Sequence, residues 1–100
     1  MEIDVHESYD IISVKVVGDI EMITIKPFKE KLFEIADKTD KDVEIDFSEV
    51  DYIDSSGISI LIILLRLQRN KGKKLVINKA NPRILEVFKL SSLLNIFELQ

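Results

Sequence analysis

The sequence predicts an α/β fold: one domain on a mixed β-sheet, with helices mainly on one face, in the order ββαβαβαβ. Three observations carry this. The 100 residues are 46% hydrophobic and 32% charged, which is enough apolar material for one core and too much for disorder. The apolar period switches repeatedly between two residues and a helical spacing. Strand–helix–strand alternation after an opening hairpin then requires parallel pairing within a mixed sheet.

The elements follow in order. In Glu2 to Ser8, Ile3 and Val5 interleave with Glu2, Asp4 and His6; Ile12, Val14 and Val16 interleave with Ser13 and Lys15. These are two strands joined by a turn at Tyr9-Asp10, and Gly18-Asp19 ends the second. From there Ile25, Phe28, Leu32, Ile35 and Ala36 recur at helical spacing, with Pro27 in a first turn that tolerates it and Thr24 as the expected cap. This helix is expected to end near Asp37 to Thr39. Asp42 to Phe47 alternates again, with Val43, Ile45 and Phe47 facing one way and Asp42, Glu44 and Asp46 the other, so one face of the sheet is wet. Ser55-Ser56-Gly57 opens a long apolar helix over about Ser56 to Asn70, and Gly72 is its expected stop. Leu75-Val76-Ile77 reads as a short buried strand. Asn81-Pro82 starts a helix that carries Ile84, Leu85, Phe88 and Leu90, and Ile96 to Leu99 reads as a last strand.

Several chemistries are excluded. Without cysteine there are no disulfides, thiolate metal sites or cysteine nucleophiles, and a single histidine, His6, rules out a multi-histidine metal site. His6 alternates within a strand and is expected to be solvated. The acid pair Asp19 and Glu21 is too unspecific in spacing to indicate a metal, so neither metal nor cofactor is expected. No Gly-x-Ser-x-Gly elbow and no Gly-rich phosphate loop is present. The longest apolar run, Ile60 to Leu65, is far short of the roughly 20 residues of a membrane span, and the acidic start lacks the order of a signal peptide. The expectation is a cytoplasmic protein without membrane insertion. The net charge of −4 argues against direct nucleic-acid binding and, with the single compact unit, for a monomer. Charge is nevertheless uneven: acids dominate Asp37 to Asp54, whereas Arg66 to Arg83 holds basic residues and no acid. These stretches are either solvated faces or a polarised surface that orients a partner.

Asp54-Ser55-Ser56-Gly57 is the candidate site. It sits between a strand and a helix N-terminus, where first-turn N–H groups are unpaired and the dipole favours negative charge. A phosphate on a serine there would gain charge-assisted hydrogen bonds while lying beside the repelling Asp54. The plainer alternative is that Ser55 or Ser56 caps the helix and Gly57 permits a tight turn. The helix from Ile58 to Leu67 is apolar on more than one face, so Ile58 and Ser59 are expected to be partly exposed near Ser55. They would be either core alone or an apolar patch suited to a protein partner.

The stretch Val50-Asp51-Tyr52-Ile53-Asp54-Ser55-Ser56-Gly57-Ile58 resembles the signature of STAS domains, specifically bacterial anti-sigma factor antagonists. Gly18-Asp19-Ile20-Glu21 resembles the family's loop after the second strand. Lys71-Gly72-Lys73-Lys74-Leu75 resembles its turn into the next strand, and Leu90 to Phe97 its segment ending in the final strand. The resemblance implies a signalling switch rather than an enzyme. In that family the unphosphorylated antagonist binds an anti-sigma factor that is itself a serine kinase, which frees a sigma factor for transcription. Phosphorylation of the serine after the Asp releases the antagonist, and a phosphoserine phosphatase resets it. Carried over by position, Ser55 is the phosphorylation site and Asp54 helps position its hydroxyl. Asp19, Glu21, Asp54, Ser56, Gly57, Ile58 and Ser59 make the partner surface. The chain departs from the family pattern in Glu21, where Asp is usual, and in Ser59, where a second Gly is frequent. It also stops at Gln100, where the family continues into a C-terminal helix. An alternative implied by the same resemblance is an accessory subunit of a membrane lipid-transport complex, without a phosphorylation cycle, in which Ser55 is only a cap.

Overall fold

Alternating apolar residues build the sheet as expected. The computed structural model describes residues 1–90 and the short strand at 98–99. The order is β1 (Glu2–Glu7), β2 (Ile11–Val17), α1 (Ile25–Lys38), β3 (Asp42–Glu49), α2 (Ser55–Asn70), β4 (Leu75–Asn78), α3 (Pro82–Leu90) and β5 (Glu98–Leu99). The strands lie side by side in chain order, β1 antiparallel to β2 and every later pair parallel. The ββαβαβαβ order and the mixed sheet are therefore as the sequence predicts. Ile96 and Phe97 of the expected last strand, and residues 91–97 of the segment from Leu90 to Phe97, lie outside the described residues.

Register decides which face is dry. Ile12, Val43 and Leu75 align across the parallel strands, as do Val14, Ile45 and Ile77, and all six are buried. They join Phe28 and Leu32 of α1, Leu61 and Leu64 of α2, and Ile84 and Phe88 of α3 in one core. The opposite face carries Lys15, Glu44, Asp46 and Asn78, so the helices cover one side of the sheet. Val76 is buried on that outer face, apart from the core. Of the apolar residues that α3 carries, Ile84 and Phe88, one turn apart, are buried and Val87 packs against them at the margin of the core, whereas Leu85 and Leu90 are exposed.

Helix ends show where local chemistry acts. Thr24 does not cap α1: its hydroxyl donates to Asp19 O at 2.6 Å and accepts from Glu21 N at 3.1 Å, so the preceding loop claims it. Gly72 does stop α2, at φ +70°, with Gly72 N donating to Arg69 O at 3.0 Å and Lys73 N to Gln68 O at 2.8 Å, the two bonds of a Schellman motif. Asn81 caps α3, its Oδ1 accepting from Ile84 N at 2.9 Å, while its Nδ2 donates to Val50 O at 3.0 Å. At the opposite end of the sheet the buried Gln68 amide donates to Lys41 O at 3.0 Å and Lys74 O at 2.9 Å, tying together the chain segments that enter β3 and β4. Among the described residues no helix is long and apolar enough to cross a membrane.

Candidate functional site

Two loops that leave neighbouring parallel strands must emerge at the same edge of the sheet, and here they are joined. Residues 18–24 follow β2 and residues 50–54 follow β3. Ile20 and Ile53 form an isolated parallel bridge, with Ile20 N donating to Tyr52 O at 2.9 Å and Asp54 N to Ile20 O at 3.0 Å. Gly18 N donates to Glu49 O at 3.1 Å just below. Both isoleucine side chains are fully buried, so the place where the chain enters α2 is fixed by the core rather than by the loop itself.

On that base Asp54, not a serine, caps α2. Its Oδ1 accepts from Ser56 N at 2.9 Å, from Gly57 N at 3.2 Å and from the Ser56 hydroxyl. Its Oδ2 accepts from Met22 N in the neighbouring loop at 3.0 Å. The Ser56 hydroxyl first of all, then the amides of Met22, Gly57 and Ser56, hold the Asp54 carboxyl below its ordinary value of 3.8, while burial opposes them. The carboxylate expected to help position Ser55 is thus occupied elsewhere; no hydrogen bond joins it to the Ser55 side chain among the described residues.

The two serines are thereby distinguished. Ser56 is half-buried and its hydroxyl is spent on Asp54. Ser55 is the first helical residue, is exposed, and uses only its carbonyl, which accepts from the Ser59 hydroxyl at 2.9 Å. Capping by Ser55 or Ser56 is therefore replaced by capping through Asp54.

Gly57 also differs from expectation. It lies within the helix, and a Cβ there would come within 2.5 Å of Ile20 Cγ2 and 2.8 Å of Ile53 Cγ1. The missing side chain lets the helix press onto the bridge, and no tight turn is involved. Ile58, expected to be partly exposed, is 8% exposed and belongs to the core, because the helix turns it inward immediately after Gly57. Ser59 is exposed as expected, and so is Asp19; Glu21 and Asp54 are half-buried.

Two residues at this edge were not anticipated. Met22 and Ile23 are 75% and 89% exposed at the tip of the loop that Asp54 holds. Their signal was available: two consecutive apolar residues precede Ile25 and fall outside the spacing that assigns Phe28 and Leu32 to the core. Ile63, 42% exposed, lies one turn beyond Ser59 on α2 and continues the apolar character. His6, in contrast, is exposed on the edge strand β1. Arg83 stands 3.9 Å from Asp51, an exposed pair of small energetic weight.

Comparison with known proteins places the fold and the family. The anti-sigma-B factor antagonist of Bacillus subtilis is 23% identical over 99 residues, covering 99% of this chain and 90% of that protein. The crystal structure of an anti-sigma factor antagonist from Mycobacterium paratuberculosis superposes with a TM-score of 0.85 at 22% identity, covering 98% of this chain and 83% of that one. The Bacillus cell fate determinant SpoIIAA in its phosphorylated form gives 0.75 at 13% identity, over 99% and 91% of the two chains. The STAS domain family matches residues 2–100, and with all but its first residue inside that match, the chain belongs to the STAS domain family.

Proposed function

We propose that this STAS domain is an anti-sigma factor antagonist, a binding protein rather than an enzyme, whose binding is switched off by phosphorylation of Ser55. The observation that carries the reading is the division of labour between the serines: Ser56 is tied to Asp54, while Ser55 presents an exposed hydroxyl directly after Asp54, the residue that also holds the loop of the exposed Met22 and Ile23. The name of the Bacillus subtilis relative supports the same reading. The partner would be an anti-sigma factor with serine kinase activity, and a phosphoserine phosphatase would restore the free form. In the modifying step Ser55 Oγ attacks the γ-phosphorus of ATP, the bond from that phosphorus to the bridging oxygen breaks, ADP departs, and the hydroxyl proton passes to a base on the kinase.

The phosphate adds about −1.5 to −2 charge at pH 7 beside Asp54. Buried under a partner, a few kcal/mol of repulsion and desolvation lowers affinity by roughly 100-fold. The test is a pull-down from native lysate, with mass spectrometry of captured proteins and of the bait after ATP is added. Capture of an anti-sigma serine kinase, and its release as Ser55 gains phosphate, is the expected result. An unmodified bait that recovers membrane-transport subunits would replace this reading with the accessory-subunit one.

A further inference from the structure

The loop tip that carries Met22 and Ile23 is closed mainly on itself. Thr24 N donates to Glu21 O at 2.8 Å, Glu21 N donates to the Thr24 hydroxyl, and that hydroxyl donates to Asp19 O. Below the tip, Ile20 is anchored to the β3–α2 loop by its bridge to Ile53. Between Glu21 and Ile23, the one hydrogen bond that reaches out of the loop among the described residues runs from Met22 N to Asp54 Oδ2. The other oxygen of the same carboxylate caps the helix whose first residue is Ser55. One side chain thus holds both the phosphoacceptor's helix and the exposed apolar tip.

The geometry points to Asp54 as a latch that couples the modification state of Ser55 to the position of Met22 and Ile23, an inference that rests on Ser55 being the phosphorylated residue. A phosphate on Ser55 brings two negative charges next to this carboxylate, and its three acceptor oxygens compete for the same first-turn amides. The carboxylate turns away, and the helix keeps an anionic cap in the phosphate itself. Met22 N, for which Asp54 is the one acceptor among the described residues, is released. Phosphorylation then does more than repel a partner: it also frees the apolar tip that unmodified protein holds in place.

Amide hydrogen exchange by NMR tests this on the isolated protein in three forms: unmodified, carrying phosphoserine at position 55 introduced during translation, and Asp54→Asn. Asparagine remains a good N-cap but has one acceptor oxygen, so it serves the helix and turns its NH2 toward Met22 N. Loss of a hydrogen bond to a charged acceptor changes the opening equilibrium by about tenfold or more. The expected result is Met22 exchange faster by that factor in both altered forms, with the amides from Ile60 onward unchanged. Met22 already unprotected in the unmodified protein, or equally protected with phosphoserine, overturns the latch. Neither result depends on a kinase, so failure of the latch leaves Ser55 modification standing, and a kinase that ignores Ser55 leaves the exchange result readable.

Discussion

Replacing Gly57 by alanine isolates the contact on which the site is built. The added Cβ would lie 2.5 Å from Ile20 Cγ2, 2.8 Å from Ile53 Cγ1 and 3.1 Å from Ile53 Cδ1. Neither isoleucine can swing aside, because both are enclosed in the core and their backbones are bridged to one another. Overpacking of this kind costs about 1–3 kcal/mol. Against it stands the helix preference for alanine over glycine, at most about 1 kcal/mol in a helix interior and less in a first turn. The net expectation is a loss of about 1–2 kcal/mol, which for a domain of this size lowers Tm by roughly 4–16 °C. Urea and thermal unfolding followed by circular dichroism measure it. Gly72→Ala is the matched control: nothing lies within 4 Å of its Cβ, yet φ is +70°, so its cost of about 1 kcal/mol is backbone strain alone. Gly57→Ala as stable as the parent would refute the reasoning, since the helix start would then be free to shift and the bridge would not position Ser55.

Three further outcomes follow from the same geometry. Ser55→Ala is expected to change stability by less than about 0.5 kcal/mol and to abolish phosphate acceptance, whereas Ser56→Ala, losing a bond to a carboxylate, costs about 1 kcal/mol or more and leaves acceptance intact; intact-mass spectrometry after kinase treatment, with urea melts, decides, and phosphate on Ser56 reverses the assignment. Asp54 is held below its ordinary value by its hydrogen bonds, so its contribution is fully present above about pH 4 and is lost as pH falls through the depressed folded value. The stability gap between parent and Asp54→Asn should therefore shrink on acidification in this range, and a gap constant from neutrality to pH 3 would show that the carboxylate is not ionically engaged. Gln68→Met removes the amide donor from the carbonyl of Lys41 and one of two donors from that of Lys74, which keeps Val43 N, and should destabilise by about 1–3 kcal/mol in urea melts; no change would mean that the Lys41 carbonyl is satisfied without it.

What the sequence made legible were features whose cause lies within a few residues. Val43, Ile45 and Phe47 alternate with acids because one face of β3 is dry, and that alternation already placed the helices on one side. Gly72 and Asn81-Pro82 mark helix ends through local φ preference and local capping, and both hold. The departures arise where a distant segment intervenes. Thr24 has the right chemistry for a cap but is taken by Asp19 and Glu21. In Asp54-Ser55-Ser56 each residue type can cap, and the choice is made by where the Ile20–Ile53 bridge lets the chain leave the sheet. Gly57 reads locally as a turn residue; its purpose is visible only once Ile20 is brought against it by the parallel pairing of β2 and β3. Leu90, apolar and in helical sequence, is 77% exposed, because on α3 it falls off the stripe that turns Ile84 and Phe88 inward.

Under the proposed phosphorylation of Ser55, its placement also accounts for a fold that tolerates both states of the switch. A phosphate at the first turn of α2 gains from the helix dipole and the unpaired amides, an effect of about 0.3–1 kcal/mol at an exposed terminus. It loses by facing the Asp54 carboxylate: two charges against one, about 6 Å apart in water, repel by roughly 1.4 kcal/mol. The repulsion exceeds the gain by only about 0.4–1.1 kcal/mol, small against the stability of a domain, so modification neither unfolds the domain nor traps the phosphate. Discrimination must then occur where water is excluded, under the partner, because the same repulsion grows several-fold as the effective dielectric falls. An acidic cap directly before the acceptor serves this purpose better than a neutral one. It leaves the overall stability of the free domain little changed by phosphate while making the bound state sensitive to it, and by reaching across to Met22 N it carries the effect of the phosphate to the second loop of the same surface.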